Sequence, residues 1–188
     1  MEKIRKHFES HTKLSDKDWQ IFSSKLNRHK FPKNHLLLKA GQTERYLSFV
    51  ETGIVRYFIP KADTDLTFGF VFADNFVSAY DSFLTQQPCA YHLQAMTELT
   101  LWRLAYDDLQ DIYRETEIGN TIGRLASEDL FLKKSRRELS LLHETAEERY
   151  LKLFDEQPHL IQQIPLKYLA SYIGITPQAL SRIRRRIT

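Results

Sequence analysis

The sequence predicts an α+β protein with an N-terminal antiparallel β-barrel or jelly roll, a long helix and a C-terminal helix-turn-helix domain. Three patterns predict this order. Short apolar runs alternate with turn residues over residues 31–106, apolar residues then recur every seven positions, and two short amphipathic helices joined by a glycine come last. We divide the 188 residues into a barrel (1–115), a long helix (116–143) and a helix-turn-helix domain (144–188).

The composition excludes several classes of protein. Hydrophobic residues make up 42% of the chain, which is enough to form a buried core. No apolar run approaches the roughly 18 residues that a membrane-spanning helix needs, so we expect no membrane partner. The charged N-terminus lacks a signal-peptide pattern, and the single cysteine, Cys89, excludes an internal disulfide and any four-cysteine metal site. We therefore expect a cytoplasmic protein.

The barrel is predicted from six short runs that are rich in β-branched and aromatic residues. They cover residues 36–38, 47–50, 54–59, 66–72, 91–96 and 99–104. Turn residues separate them, as at Thr52-Gly53 and Asp74-Asn75. Residues 76–90 lack the alternation of a strand, so we expect a loop or a short helix there. Several short strands at this spacing are typical of an antiparallel barrel or jelly roll.

A seven-residue apolar repeat follows the barrel, within residues 116–143. Its positions are Ile118, Leu125, Leu132 and Leu139. A strict repeat of this kind is typical of a helix that packs lengthwise against another helix, so we predict a homodimer formed through this dimerisation helix. The companion positions are Thr121, Glu128, Ser135 and Leu142, of which only the last is apolar. One long helix packed on its own domain is therefore the alternative.

The C-terminal 30 residues carry the sharpest motif. Pro165 can open a helix whose apolar face is formed by Leu166, Leu169, Ala170 and Ile173. Gly174 stands where helices commonly end in a left-handed turn, and Thr176-Pro177 can cap and begin the next helix. In that helix Leu180, Ile183 and Ile187 are predicted to face inward. This is the pattern of a helix-turn-helix.

The outer face of the second helix has the chemistry of a DNA reader. Its stripe consists of Gln178, Ser181, Arg182 and Arg185. Glutamine can pair with adenine and arginine with guanine in the major groove, and the short Ser181 leaves room for close approach. We expect phosphate contacts from Lys167, Thr176, Arg184, Arg185 and Arg186. Residues 157–188 contain five Lys or Arg and no Asp or Glu, so double-stranded DNA is the predicted partner. The alternative for the arginines is that they complement the helix dipole.

The order of barrel, long helix and helix-turn-helix resembles the cyclic-AMP receptor protein/fumarate-nitrate regulator (Crp/Fnr) superfamily of bacterial transcription regulators. The segment IPLKYLASYIGITPQALSRIRRRI resembles the helix-turn-helix of that family, with Arg182 where the family commonly has a base-reading arginine. LLLKAGQ and YLSFVETGIV resemble paired strands of its sensor barrel. The resemblance implies a cyclic-nucleotide-binding-like sensor domain over residues 1–115, a homodimer that regulates transcription, and RNA polymerase as a further partner.

The chain departs from that family where the cyclic nucleotide would bind. Ala79 stands where the family has the glutamate that holds the ribose hydroxyl, and Cys89 stands where it has the arginine that pairs with the phosphate. We therefore expect no cofactor, no response to cyclic AMP, and an effector whose identity the sequence does not reveal. The residues predicted to line a remaining ligand pocket are Ser78, Tyr80, Ser82, Cys89, Tyr91 and His92. Barrel packing is their alternative role.

Two other functions were weighed against regulation. A jelly-roll metalloenzyme of the cupin type needs several histidines and a carboxylate converging inside the barrel, and the β-rich region holds only His35 and His92. No catalytic or metal-binding motif is present, so we predict that the protein is not an enzyme. A ligand-binding module without specific DNA binding is the remaining alternative.

Overall fold

The computed structural model describes residues 1–187, which contain nine helices and eight strands. The strands are β1 (Asn27–Phe31), β2 (Leu36–Leu38), β3 (Tyr46–Thr52), β4 (Ile54–Ile59), β5 (Leu66–Phe72), β6 (Phe76–Val77), β7 (His92–Ala95) and β8 (Leu99–Ala105). The helices are α1 (Glu2–Glu9), α2 (Asp16–Ser24), α3 (Tyr80–Thr85), α4 (Tyr106–Glu115), α5 (Gly119–His143), α6 (Ala146–Glu156), α7 (Pro158–Gln163), α8 (Leu166–Ile173) and α9 (Pro177–Ile187). None of the helices in residues 1–187 is both long and apolar enough to cross a membrane.

The strands form two antiparallel sheets. One has the order β1-β8-β3-β6 and the other the order β2-β7-β4-β5. Within residues 1–187 the predicted barrel is therefore a pair of four-stranded sheets and not one closed barrel. The α+β class and the antiparallel strands are confirmed, and of the two predicted arrangements the sheets have that of a jelly roll and not that of a closed barrel. Short strands with alternating burial are compatible with either arrangement, because alternation determines which face is inside and leaves closure open.

The chain divides into two units. The first contains Met1–Ile59 and Phe70–Ser127, and the second contains Pro60–Gly69 and the chain from Glu128 onward. The tip of the β4–β5 hairpin therefore belongs to the second unit, although most of the sheet belongs to the first. Helix α5 begins in the first unit and ends in the second.

The first unit has two apolar cores. One lies between the sheets and includes Val50, Val55, Leu93 and Leu101, all nearly inaccessible to solvent. The other joins the N-terminal helices to strand and helix residues that follow them in the chain. Its buried members are Ile4, Phe8, Phe22, Leu26, Phe49, Phe83, Leu104, Leu109 and Ile112. Aromatic rings pack edge to face within this second core, as between Phe8 and Phe22 with centroids 4.9 Å apart.

The second unit is helical apart from the hairpin tip. Its buried apolar side chains come from α6 to α9 and the segments between them. They are Tyr150, Leu153, Leu160, Ile164, Leu169, Ala170, Ile173, Leu180 and Ile183. The apolar periodicity predicted for the last two helices is thus observed, except that Leu166 is half-buried at the start of α8 and Ile187 is 38% exposed at the end of α9.

Candidate functional site

The turn between α8 and α9 has the geometry that the sequence predicted. Gly174 adopts a left-handed conformation, with φ 84° and ψ 27°, that is cheap only for glycine. Its N–H donates to the carbonyl of Ser171 at 3.1 Å, and the N–H of Ile175 donates to the carbonyl of Ala170 at 3.0 Å. These two bonds form the Schellman motif, which ends a helix. The hydroxyl of Thr176 then accepts from the N–H of Ala179 at 3.2 Å and caps α9.

Helix α9 separates an apolar face from a basic one. Leu180 and Ile183 are buried. The exposed side chains are Gln178, Arg182, Arg184, Arg185 and Arg186. Ser181 is half-buried, and its hydroxyl donates to the carbonyl of Pro177 at 2.9 Å. Three of the four stripe residues therefore point to solvent, and the fourth bonds its own helix.

Two of the remaining predicted phosphate-binding residues have contacts within the second unit. Arg186 forms an ion pair with Glu147 on α6, with nitrogen and oxygen 2.6 Å apart. Lys167 is exposed and holds its ammonium 4.6 Å from the ring centroid of Tyr168. A groove of about 560 Å³ runs beside α9. Its lining consists of Ala146, Ile175, Ala179, Arg182, Ile183, Arg185 and Arg186.

The seven-residue repeat is partly exposed along α5. Leu132 and Leu139 are 50% and 54% exposed, and Leu142 is 77% exposed. Leu125 is half-buried. Ile118 differs from the other members, because it precedes the first residue of the helix and is buried in this chain. The leucines of the repeat and its companion positions that are exposed on α5 are therefore Leu132, Leu139 and Leu142.

The residues predicted for a ligand pocket lie in the segment between β6 and β7. Ser78, Ser82 and Cys89 are buried, while Tyr80, Tyr91 and His92 are half-buried. Ala79 is fully inaccessible to solvent. Tyr80 opens α3, and its hydroxyl lies 3.3 Å from the Ser127 hydroxyl of α5.

The polar groups of this segment bond the chain itself. The Ser78 hydroxyl donates to the carbonyl of Tyr46 at 2.9 Å. The Ser82 hydroxyl accepts from the N–H of Glu44 at 3.0 Å and donates to the carbonyl of Gln87. His92 accepts from the N–H of Ala40 through Nδ1 at 2.7 Å, and the Tyr91 hydroxyl donates to Asp81. These side chains hold the segment in place, because they form the hydrogen bonds that backbone groups would otherwise make to water.

Cys89 is held in the same way. Its Sγ lies 3.1 Å from the carbonyl oxygen of Tyr91 and 3.6 Å from that of Lys39. Burial raises the pKa of the Cys89 thiol. A thiol with a raised pKa is mostly protonated at neutral pH and reacts slowly.

Sequence reasoning missed a buried carboxylate beside this segment. One oxygen of Glu44 accepts the N–H groups of Arg45 and Tyr46 at 3.0 Å, and the other accepts the N–H of Ala79 at 3.4 Å. Burial raises the pKa of Glu44, while those N–H groups and the charge of Arg103 oppose the rise. No periodic pattern identifies this residue, because it lies in the turn before β3.

Two further residues of the first unit were missed. The Tyr57 hydroxyl on β4 donates to the carbonyl of Ser78 at 2.9 Å and accepts the N–H of Ser78 at 3.2 Å. Burial raises the pKa of Tyr57, so it stays neutral. Arg103 on β8 places its guanidinium 3.7 Å from the ring centroid of Tyr46, and burial lowers its pKa. Alternation would have put both side chains on the inner sheet faces, but it does not show which group they bond.

No group of three or more His, Cys, Asp or Glu residues within 1–187 is arranged to hold a metal ion. Two sequence comparisons bear on the class of protein. Residues 28–116 match the family of the cyclic nucleotide-binding domain. No curated protein matches the sequence.

Several solved structures have a similar fold. FixK2 from Bradyrhizobium japonicum has a TM-score of 0.73 at 14% identity, over 86% of this chain and 84% of that one. The c-di-GMP responsive global regulator CLP from Xanthomonas campestris has a TM-score of 0.69 at 17% identity, over 92% and 91%. A regulator of the Crp/Fnr family from Eubacterium rectale has a TM-score of 0.70 at 12% identity, over 93% and 83%.

Residues 28–116 are therefore similar to a cyclic nucleotide-binding domain. The fold of the chain is similar to that of these solved structures, one of which is described as a regulator of the Crp/Fnr family. The resemblance predicted from the sequence motifs is confirmed at the level of the domain and the fold. CLP and the Eubacterium rectale protein are described as regulators.

Proposed function

We propose that the chain is a homodimeric, sequence-specific DNA-binding transcription regulator that does not respond to cyclic AMP. The observation that carries the proposal is the outer face of α9. There Gln178, Arg182 and Arg185 are exposed, while Leu180 and Ile183 anchor the opposite face in the core of the second unit. A helix with this division can enter the major groove without losing its support.

The exposed groups match the hydrogen-bonding edges of bases and phosphates. The amide of Gln178 can donate and accept toward adenine, and the guanidinium of Arg182 can donate twice to guanine. We assign Lys167, Thr176, Arg184, Arg185 and Arg186 to phosphate contacts. The hydroxyl of Ser181 already has a partner in its own helix, so its role is to allow close approach.

The proposed dimer interface is the exposed apolar side of α5. Its leucines Leu125, Leu132 and Leu139 repeat every seven residues over a 25-residue helix. A second copy of α5 would remove these side chains from water, which stabilises the pair by roughly 25 cal/mol for each Å² buried. A symmetric dimer would also present two α9 helices to one duplex, as half-sites with two-fold symmetry require.

The proposed lack of a cyclic AMP response rests on two kinds of evidence. Ala79 and Cys89 replace the charged contacts that the family resemblance implies. The polar side chains Ser78, Ser82 and His92 are also engaged in bonds within the chain. Any effector would contact the segment of Ser78, Tyr80, Ser82, Cys89, Tyr91 and His92. The neighbour CLP is described as responsive to c-di-GMP, which supports an effector other than cyclic AMP in this fold. A cytoplasmic location and RNA polymerase as a partner belong to the same proposal.

The base-reading role is tested by Arg182→Ala in the full-length protein. We expect a loss of about 1–3 kcal/mol on the preferred duplex and a relaxed preference at one base pair. Arg184→Ala removes an equal charge from the same helix, and it should weaken binding to all sequences alike and reduce the salt dependence by about one ion. An equal loss on all sequences for Arg182→Ala would contradict base reading by this residue.

A further inference from the structure

The last turn of α8 has two carbonyl groups that its own helix does not satisfy. The Schellman motif takes the carbonyls of Ala170 and Ser171. The next two carbonyls, of Tyr172 and Ile173, are also among the last four of α8, which have no N–H partner within the helix itself. Unsatisfied carbonyls at a helix C-terminus carry partial negative charge, so they favour a cationic partner.

Two arginines from two other helices bind these carbonyls. Arg137 of α5 donates to the carbonyl of Tyr172 at 2.6 Å, and its guanidinium lies 3.9 Å from the Tyr172 ring centroid. Arg149 of α6 donates through Nε to the carbonyl of Ile173 at 2.9 Å. It also donates to the carbonyl of Glu144, just past the end of α5. One guanidinium therefore bonds the C-terminal ends of both α5 and α8.

Ser171, the residue before Tyr172 and Ile173, is also held by hydrogen bonds. The hydroxyl of Ser171 accepts the N–H of Thr67 at 2.8 Å and donates to the carbonyl of Asp65 at 2.9 Å, both in the hairpin tip of the second unit. Ser171, Tyr172 and Ile173 thus each bond a different element. We call these three residues, together with Arg137 and Arg149, the α8 junction.

From this geometry we infer that Arg137 and Arg149 are positioning residues, which set the direction of α9 for sequence-specific DNA binding. The inference rests on the proposed function. Helix α9 begins three residues after Gly174, so its direction follows the end of α8. Its 11 residues span about 16 Å, and a tilt of about 10° would move the far end by about 3 Å. A shift of that size exceeds the tolerance of a hydrogen bond to a base edge.

The guanidinium of Arg137 is held in a specific contact and differs in this from an exposed surface charge. The side chain is half-buried, and burial lowers the pKa of Arg137 while its contact with Tyr172 raises it. Lysine could not reproduce the contact, because its ammonium cannot lie flat on a ring and donate from a planar fork. Arg136, the preceding residue on α5, is exposed and provides a control of equal charge.

The test compares Arg137→Ala with Arg136→Ala in two measurements. The first is affinity for the duplex that the wild type selects from a random pool and for a scrambled duplex. We expect Arg137→Ala to reduce the ratio of the two affinities about tenfold or more. A tilted α9 would lose a hydrogen bond between a charged side chain and a base edge, and such a bond contributes roughly that much. Arg136→Ala should leave the ratio unchanged. Equal losses for both variants on both duplexes would overturn the inference.

The second measurement needs no DNA. Hydrogen exchange of the Gly174 and Ile175 amides should be faster in Arg137→Ala than in the wild type and Arg136→Ala. Unchanged exchange would overturn the inference. If the wild type selects no sequence, the proposed function fails. The hydrogen exchange rates then test on their own whether Arg137 holds the α8 junction. If Arg137→Ala does not fold, Arg137→Lys is measured instead. In Arg137→Lys the Gly174 and Ile175 amides should still exchange faster than in the wild type. An exchange rate equal to that of the wild type would overturn the inference.

Discussion

Glu44 is a buried carboxylate that accepts hydrogen bonds from backbone N–H groups. Burial raises its pKa above the ordinary value of 4.5, and the charge of Arg103 opposes part of that rise. The folded chain therefore binds this proton more tightly than the unfolded chain. It follows that the contribution of Glu44 to the free energy of unfolding is largest at low pH. That contribution falls as the pH rises from the ordinary pKa through the raised one.

We predict that Glu44→Gln removes this pH dependence. The stability of the wild type relative to the variant should decline as the pH is raised from about 4 to about 7, measured by urea unfolding at each pH. The variant also loses one acceptor for the N–H of Ala79, which adds an offset that does not change with pH. A difference that stays constant over this range would show that Glu44 has no raised pKa.

Glu148→Gln provides a control with the opposite sign. Hydrogen bonds from the backbone N–H and the hydroxyl of Thr145 lower the pKa of Glu148. Its stabilising contribution is therefore present above the ordinary pKa and lost as the pH falls through the lowered one. The stability of the wild type relative to this variant should therefore rise as the pH increases through the lowered pKa up to the ordinary one, at lower pH than the range in which the Glu44 difference declines.

Single residues differed in how far the sequence could predict them. The exposed side chains of Gln178 and Arg182 were predictable because helical periodicity places them opposite Leu180 and Ile183. Glu44 was not, because it lies in a turn and its bonds reach residue 79, 35 positions away. Spacing carries no information about a contact of that range.

Among the elements, the turn before α9 depends most directly on one backbone conformation. A Cβ at Gly174 would lie 3.7 Å from Nη2 of Arg149 and 3.9 Å from Cδ2 of Leu141, which are ordinary contact distances. We predict that Gly174→Ala lowers the free energy of unfolding by about 1–2 kcal/mol, because the cost is conformational only. Urea unfolding measures the change.

Gly41→Ala is the matched control for that substitution. Gly41 has φ 87°, and nothing lies within 4 Å of its added Cβ, so the same conformational cost applies without any neighbour. The two losses should agree within about 1 kcal/mol. A much larger loss for Gly174→Ala would mean that the added methyl disturbs the α8 junction, and no loss would contradict the left-handed conformation.

Element boundaries were harder to predict than element types. The long helix predicted over residues 116–143 is α5 in the structure, and breaks at residues 116–118 and 144–145 separate it from α4 and α6. The second break has a capping box, in which Thr145 and Glu148 bond each other's backbone N–H groups. This signal was present in the sequence. Strand β1 was missed because its residues are polar and mostly exposed, and α7 was missed because six residues give too little periodicity.

For the whole molecule, the proposed dimer makes the apolar side of α5 an interface. We predict that Leu132→Glu combined with Leu139→Glu weakens the dimer at least about 100-fold, because an unpaired carboxylate in an apolar interface costs about 3 kcal/mol or more. Sedimentation equilibrium of the wild type should give twice the chain mass of 22.2 kDa. The double variant should give the mass of one chain at the same concentration.

Lys134→Glu changes charge on the same helix at an exposed position outside the repeat. It should leave the dimer intact. A double leucine variant that still forms a dimer would place the interface elsewhere, and an α5 packed only on its own chain would give a monomeric wild type.

The central claim, that a symmetric dimer reads DNA sequence through α9, is tested most directly by selection from a random pool of duplexes. The ligand-free, full-length protein is used at moderate salt. We predict enrichment of an inverted repeat whose half-sites are about 10–11 base pairs apart, centre to centre, because two α9 helices would enter successive major grooves. Binding that declines with salt and enriches no sequence would contradict the claim, since phosphate attraction alone produces that result.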